Sequence, residues 1–223
     1  LGPFDSGSFY RGIYPYAQLA DENGNALAVM KDYSSQYINT VMQMGFKDWN
    51  YRPLDEIKLA DNTVKLNDLL LKSSAYKIIS GFAAEIQFQK EHQNILTRNF
   101  QSPKAYAARN LVNQFSQIDG STNSINYIFP QGGILDVGSY DWNATNVRGQ
   151  LNYNKIFNKH DISGIAGAEL RERKTEGFDR KTYGYNEEYG SGNGSLNYNT
   201  AYPINPAGVG FIPAPPSHVN GIT

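Results

Sequence analysis

Cysteine is absent from this 223-residue chain, and histidine occurs only three times. The absence of cysteine excludes a disulfide framework, a thiolate metal site and a cysteine nucleophile. With so few histidines, the sequence predicts no metal site and no cofactor. The longest apolar run, residues 26–30, has five residues, against the ~20 that a membrane-spanning helix needs. A protein that crosses a membrane with helices is therefore excluded.

Charge of either sign is scarce, with 20 Lys+Arg against 21 Asp+Glu and a net charge of −1. A dedicated nucleic-acid binder usually carries a basic excess, so we expect no nucleic-acid partner. The abundant residues are Tyr (16), Phe (11) and Gly (21), a composition typical of many strands and turns with hydrated faces. The chain begins at Leu1 without a signal segment, so we expect a processed chain or a piece of a longer protein.

Residues 67–99 predict a β-hairpin. Residues 82–89 alternate apolar and polar side chains with a period of two, and residues 67–78 are a second strand candidate whose phase is ambiguous. The turn falls near Ser80 and Gly81. One face of the hairpin is apolar and includes Leu69, Leu71, Phe82, Ile86 and Phe88.

Residues 147–174 give the strongest signal and predict a second hairpin with a turn at residues 158–159. Its apolar phase is Val147, Gly149, Leu151, Tyr153 and Phe157, followed by Ile162, Gly164, Ala166, Ala168 and Leu170. Its polar phase includes Arg148, Gln150, Asn152, Glu169 and Arg171. Each strand therefore has one apolar face and one polar face.

The remaining segments, residues 1–66, 100–146 and 175–223, are rich in turn formers and predict long loop regions. Within the first, residues 33–46 predict a short helix with Tyr37, Val41 and Met44 on one face. Asn23 and Gly24 predict a type I′ hairpin turn. The chain thus divides into loop, hairpin, loop, hairpin and loop.

Long alternating hairpins suit either a soluble sandwich or an outer-membrane barrel. Three features favour the barrel: strands of about 11 residues, connections that alternate between very short and very long, and charges on the apolar phases only near the expected interfaces. We therefore predict an all-β fold of antiparallel strands from a large transmembrane β-barrel with long extracellular loops. Because four strands cannot close a barrel, this chain is expected to supply only part of one.

Several stretches resemble the SusC/RagA-type TonB-dependent outer-membrane transporters of Bacteroidetes. They are YPYAQLADENGNAL (14–27), DWNYRPLDEI (48–57), YKIISGFAAEIQFQKE (76–91), NYIFPQGGILD (126–136), TNVRGQLNYNKIFNKHDISGIAGAELRE (145–172) and TYGYN (182–186). They cover a third to a half of the chain, in the family's order.

The resemblance implies an interior segment of a plugged barrel of about 22 strands. Such a transporter would lie in the cell outer membrane and import glycans or peptides beneath a SusD-like surface lipoprotein. Energy would come from TonB acting through the plug. The partners implied are the rest of the barrel, the plug, the lipoprotein, TonB, lipid and an oligosaccharide or peptide substrate. The segment would perform no catalysis.

Loop aromatics are the candidate ligand-binding residues, because sugar rings stack on flat aromatic faces. They are Trp49, Tyr51, Tyr127, Phe129, Tyr140 and Trp142. The alternative is that these rings pack the loops together. The polar-phase residues Arg148, Gln150, Asn152, Glu169 and Arg171 are predicted to face the lumen, either contacting substrate or only hydrating the channel.

Two other functions stay open. The first is a soluble all-β carbohydrate-binding module, in which the apolar phases would be buried rather than exposed to lipid. The second is a glycosidase using paired carboxylates, for which Asp136 with Asp141, or Glu187 with Glu188, are the candidates.

Overall fold

The computed structural model describes residues 16–122, 124–192 and 196–216. Of these residues, 56% lie in strands and 13% in helices, and the pairing is mostly antiparallel. The strand content is more than twice the usual 20–25% of a globular protein, which confirms a β-rich antiparallel fold. In this part of the chain, no helix is both long and apolar enough to cross a membrane.

Three helices and nine strands follow one another along the described residues. They are α1 Ser35–Gln43, α2 Pro53–Leu59, β1 Ala60–Ile79, β2 Phe82–Gln101, α3 Tyr106–Gln114, β3 Ser116–Ile118, β4 Ile125–Tyr127, β5 Gly133–Phe157, β6 His160–Asn186, β7 Ser191–Gly192, β8 Ala201–Pro203 and β9 Val209–Phe211. The main sheet has the strand order β1-β2-β5-β6-β7, and the short pairs β3-β4 and β8-β9 form two small sheets.

Two tight turns join the long strands where the sequence predicts them. Ser80 and Gly81 connect β1 to β2 with positive φ angles of 33° and 90°, and Asn158 begins the β5–β6 turn with φ 52°. A Cβ on Gly81 would lie 2.9 Å from the carbonyl oxygen of Asn154. Glycine is therefore required there by both its backbone angle and its surroundings.

The long strands extend well beyond the predicted spans. Strands β1 and β2 have 20 residues each, β5 has 25 and β6 has 27. Strand β5 begins at Gly133 rather than near Val147, and β6 continues to Asn186 rather than ending near residue 174. The predicted loop at 100–146 accordingly contains α3, β3, β4 and the first part of β5, in which polar residues alternate with Tyr140, Trp142 and Ala144. Beyond residue 174, β6 continues although the alternation stops.

The chain divides into two compact units. Among the described residues, the first unit comprises 16–63, 98–137 and 180–216, and the second comprises 64–97 and 138–179.

The first unit contains both hydrophobic clusters. One cluster consists of Ile38, Val41, Phe46, Trp49 and Tyr106. The other consists of Ala108, Val112, Phe115, Phe129, Ile134, Tyr183 and Ile212. Of the described residues of the second unit, only Ala144 is a buried hydrophobic residue. The second unit is thus a sheet without a core of its own.

Two local predictions in the first unit need correction. The turn near residue 24 is formed by a hydrogen bond from the amide of Gly24 to the carbonyl of Asp21 at 3.0 Å, and only Gly24 has a positive φ. It is therefore not the type I′ turn predicted for Asn23-Gly24, because the Asp21 carboxylate accepts from the amides of Asn23 and Asn25. Helix α1 ends at Gln43, and Met44 lies exposed beyond it rather than on the packed face.

Candidate functional site

The second unit carries a line of hydrogen-bonded polar side chains along β5. Arg148 donates to Oε1 of Gln150 at 2.7 Å, and Gln150 donates to Oδ1 of Asn152 at 3.1 Å. Residues two apart on a strand share one face. Three of the predicted lumen residues are therefore side by side.

Strand β6 is linked to these side chains of β5 through Asn146, a β5 residue that the sequence analysis missed. Asn146 donates to Oε1 of Glu169 at 2.9 Å. Its alternation in phase with Arg148 could have identified Asn146. Arg171, the remaining predicted lumen residue, is exposed. We call Asn146, Arg148, Gln150, Asn152, Glu169 and Arg171 the polar face.

A cavity of about 240 Å³ lies on the polar face. Its lining includes Asn146 and Arg148 together with Lys72, Gln87 and Gln89. Strands β1, β2 and β5 therefore present amide and cationic groups, together with the ring of Phe88, to one cavity. Such a lining can donate hydrogen bonds to hydroxyl and carboxylate oxygens.

Tyr140 and Trp142 lie on β5 in the same unit. The Tyr140 hydroxyl donates to Oδ2 of Asp179 at 2.5 Å. Gly177 makes room for this ring, since a Cβ at Gly177 would lie 2.4 Å from Cδ1 of Tyr140. The guanidinium of Arg173 lies 4.7 Å from the centroid of the Trp142 ring. Both rings are thus held in place by neighbours on β6.

The indole nitrogen of Trp142 is buried and makes no hydrogen bond within the described residues. One ring face is already covered by Arg173, so this residue offers a ligand less surface than a free ring would. In this structure Trp142 therefore lies in the sheet with the guanidinium of Arg173 stacked on its ring.

Two of the predicted ligand-binding aromatics pack inside the first unit. Trp49 has no exposed surface, and its indole nitrogen donates to Oδ1 of Asn110 at 2.8 Å. Phe129 is also buried, with its ring centroid 4.9 Å from that of Tyr183. Neither ring face is open to a sugar, so the loop-packing alternative describes these two residues.

Tyr51 and Tyr127, two of the three tyrosines of this set, are half-buried. The ring of Tyr51 packs edge-on against Tyr106 with centroids 5.3 Å apart, and Nζ of Lys31 lies 4.2 Å from its centroid. Tyr127 has Nζ of Lys47 at 5.5 Å from its centroid. Each ring is paired with a lysine, which gives it a cationic rather than a bare aromatic surface.

A larger cleft, of about 650 Å³, lies in the first unit and was not predicted. Five of the residues that line it are cations: Lys47, Arg52, Lys58, Lys104 and Arg109. They come from two separate stretches of the chain, residues 47–58 and 104–109, which no local spacing could have joined. The two carboxylates in the lining are Asp48 and Asp55.

The apolar phase of the second unit is exposed. Leu151 retains 43% of its accessible surface, Ile162 retains 49% and Leu170 retains 77%. Other large exposed side chains of this phase are Leu69, Leu71, Phe82, Ile86, Phe88 and Val147. We call these residues and Tyr153 the apolar face. Phe82 and Tyr153 contact each other on it, with ring centroids 4.4 Å apart.

The carboxylates of the candidate glycosidase pairs contact different neighbouring residues. Oδ1 of Asp136 lies 3.3 Å from Nζ of Lys181, and Asp141 accepts a hydrogen bond from Asn94 at 2.9 Å. Glu187 lies 3.0 Å from Arg98. Nowhere in the described ranges do three His, Asp or Glu side chains form a group that could hold a metal ion.

Comparison with protein-family models found no match to this chain, and comparison with curated proteins found none either. Its function must therefore be argued from its own faces, clefts and charges.

Proposed function

We propose that this chain is an interior barrel segment of a TonB-dependent outer-membrane importer of the SusC/RagA type. In this proposal the segment contributes two transmembrane hairpins and extracellular loops to the uptake of glycans or peptides. It positions substrate and lipid but performs no catalysis. The rest of the barrel, the plug, a SusD-like lipoprotein and TonB enter the proposal through the sequence resemblance alone.

The exposure of the apolar face is the single observation that carries this proposal. Large side chains such as Ile86, Leu151 and Leu170 stand on the surface of a sheet whose other face carries a line of hydrogen-bonded polar side chains. Two large apolar residues, Ile156 and Ile165, are exposed on the polar phase as well. In water, contiguous apolar surface of this kind marks an interaction site. Acyl chains are a suitable partner, because barrel strands alternate lipid-facing and lumen-facing residues.

The same observation argues against the soluble carbohydrate-binding module. A soluble sandwich packs its apolar face on a second sheet at a density close to that of a crystal. In the described part of the second unit, Ala144 is the only hydrophobic residue that is buried. The hairpins therefore lack the second layer that the soluble alternative requires.

The edges of the main sheet support a segment rather than a closed barrel. Within the described residues, β1 is an outer strand of the sheet, and β7 covers β6 only at Tyr185 and Asn186. Unpaired backbone groups cost several kcal/mol each in hydrocarbon. In the proposal, further strands pair with both edges.

The proposal is tested by cell fractionation and uptake. The protein should sediment with the outer membrane and need detergent for extraction. Uptake of a labelled oligosaccharide or peptide mixture by cells that produce it should stop when the proton-motive force is collapsed. Recovery of the protein in the soluble fraction, or uptake that is indifferent to the proton-motive force, would overturn the proposal.

A further inference from the structure

The cleft of about 650 Å³ in the first unit is unusually cationic for this chain. Five cations and two carboxylates give its lining a formal charge of +3, or +2 once Glu56, which lies 3.7 Å from Arg109, is included, whereas the whole chain carries −1. A cleft lined by one sign of charge raises the local concentration of ligands of the opposite sign. The lining therefore favours an anionic ligand.

The cleft is held open by Arg109, whose side chain is only 12% exposed. Its guanidinium donates to the backbone carbonyls of Asp48 and of Asn50, the latter at 3.1 Å, and its Nε donates to the carbonyl of Lys104 at 2.8 Å. The two walls of the cleft are thus tied together by one buried cation. Such a preformed site loses less conformational entropy when it binds a ligand.

Helix α2 is fastened to the same framework. Glu56 accepts from the amide of Tyr106 at 2.8 Å, and the amide of Ser102 donates to the carbonyl of Leu59 at 2.9 Å. Lys58, which α2 carries into the lining, is therefore presented from a fixed element.

The carboxylate of Asp48 is already neutralised. It accepts a hydrogen bond from Arg52 at 2.5 Å and lies 3.8 Å from Arg109. Burial raises the pKa of Asp48, but hydrogen bonds from Arg52 and Asn50 outweigh it and hold the pKa below its usual value. Asp48 thus stays ionised and is paired with the two arginines, so the cationic excess of the lining rests on the lysines.

Three lysines remain available to a ligand. Lys47, Lys58 and Lys104 have no carboxylate within 4.0 Å in the part of the chain that the structure describes. Nζ of Lys47 is also held beside the ring of Tyr127. These ammonium groups stand on separate segments, an arrangement that suits a ligand with several spaced negative charges.

We infer that this cleft binds an acidic oligosaccharide, one that bears uronate or sulfate groups. This inference rests on the proposed function and specifies the substrate class of the importer. An acidic peptide is less well suited, because acidic peptides are commonly captured by clusters of free arginines, whereas Arg52 and Arg109 are already paired with Asp48. The lining comes from loops and helices, and its uncharged residues are only Leu59 and Pro103.

Isothermal titration calorimetry on the intact purified protein tests the inference. The probes are an oligogalacturonate, the same oligomer with its carboxylates methyl-esterified, a sulfated oligosaccharide and an oligoglutamate. We expect binding of the oligogalacturonate or of the sulfated oligomer that weakens as salt increases, and no binding of the ester. Equal binding of the ester, preference for oligoglutamate, or binding of neither acidic sugar would overturn the inference.

A pair of variants locates the site. Lys58→Gln with Lys104→Gln should weaken binding at least about threefold, since each removes an exposed charge contact. Lys65→Gln with Lys159→Gln removes the same charge from exposed positions in the second unit and should leave affinity unchanged. Circular dichroism establishes that both variants are folded. Equal affinity of the two variants would place the ligand elsewhere.

Because the calorimetry does not depend on transport, the importer proposal and the acidic-ligand inference can be refuted independently of each other. If uptake depends on the proton-motive force but the ester binds as well as the acid, only the acidic-ligand inference is lost. If the protein proves soluble yet binds the acid through Lys58 and Lys104, only the importer proposal is lost.

Discussion

Replacing Leu151 with arginine is the sharpest test of which face meets lipid. Leu151 lies six residues from the end of β5 at Phe157. Six residues at ~3.3 Å each and a tilt of ~45° place it about 14 Å inside the strand end, near the middle of a band about 25 Å tall. An arginine at that depth on the lipid face costs about 2–4 kcal/mol. Leu151→Arg should therefore lower the free energy of unfolding by that amount.

Asn152→Arg is the matched control, because the neighbouring residue lies on the polar face and already hydrogen-bonds to Gln150. An arginine there faces water, so it should change the free energy of unfolding by no more than about 0.5 kcal/mol. The assay is urea unfolding of the protein reconstituted in phosphatidylcholine vesicles, followed by tyrosine and tryptophan fluorescence. Equal losses at the two positions, or a neutral Leu151→Arg, would refute the assignment of faces.

Three further predictions concern the first unit. Trp49→Ala should lower the free energy of unfolding by about 3–5 kcal/mol in a denaturant titration, because it empties a fully buried site; a loss below ~1 kcal/mol would contradict its place in the cluster. Gly132→Ala should cost about 1–3 kcal/mol, since its Cβ would lie 2.4 Å from the backbone of Gly184, whereas Gly120→Ala, with open space around it, should be nearly neutral. The depressed pKa of Asp48 implies a stabilising contribution that is present above the ordinary value of 3.8 and is lost as pH falls through the lower folded-state pKa. Asp48→Asn should accordingly flatten the loss of thermal stability below pH 4, and an unchanged acid profile would contradict this reasoning.

The turns and the faces of the hairpins could be predicted because the spacing of neighbouring residues along the chain determines them. The alternation from Phe82 onward and from Val147 onward fixes which side chains share a face. The residues that pair on the polar face, such as Arg148 with Gln150, follow from that alternation. Turns at Ser80-Gly81 and at Asn158 follow from residues that tolerate positive φ.

The full length of the strands could be predicted only in part. From Ser139 to Thr145, polar residues alternate with Tyr140, Trp142 and Ala144, a strand signal that the loop prediction overlooks. Only between residues 133 and 138 do glycines on both phases conceal the strand. The extended conformation there is supported by backbone pairing within the main sheet.

Helix α3 is a different case, because its signal was present and was missed. Ala108, Val112 and Phe115 recur at spacings of four and three and are all buried. The helix has Ala105 at its N-cap and no side-chain capping bond, so the usual start signal is lacking. The turn formers on either side of the segment, Pro103 and Gly120, predict a loop instead.

The cationic cleft was beyond sequence reasoning for a physical reason. Arg109 is 61 residues from Asp48 along the chain, yet its guanidinium donates to the Asp48 carbonyl. Only the folded first unit brings these segments together. A lysine such as Lys58 looks like an ordinary solvated charge until its neighbours are known.

Spin-label accessibility tests the central claim most directly, and a cysteine introduced into this cysteine-free chain gives the nitroxide one defined position within it. A nitroxide is attached at Leu151→Cys, Asn152→Cys, Asp161→Cys or Ile162→Cys in the intact protein in its native membrane. Oxygen partitions into acyl chains, whereas a nickel chelate stays in water. The account predicts that labels at 151 and 162 relax faster with oxygen and those at 152 and 161 with nickel. No alternation between neighbouring positions, or nickel access at all four, would contradict it.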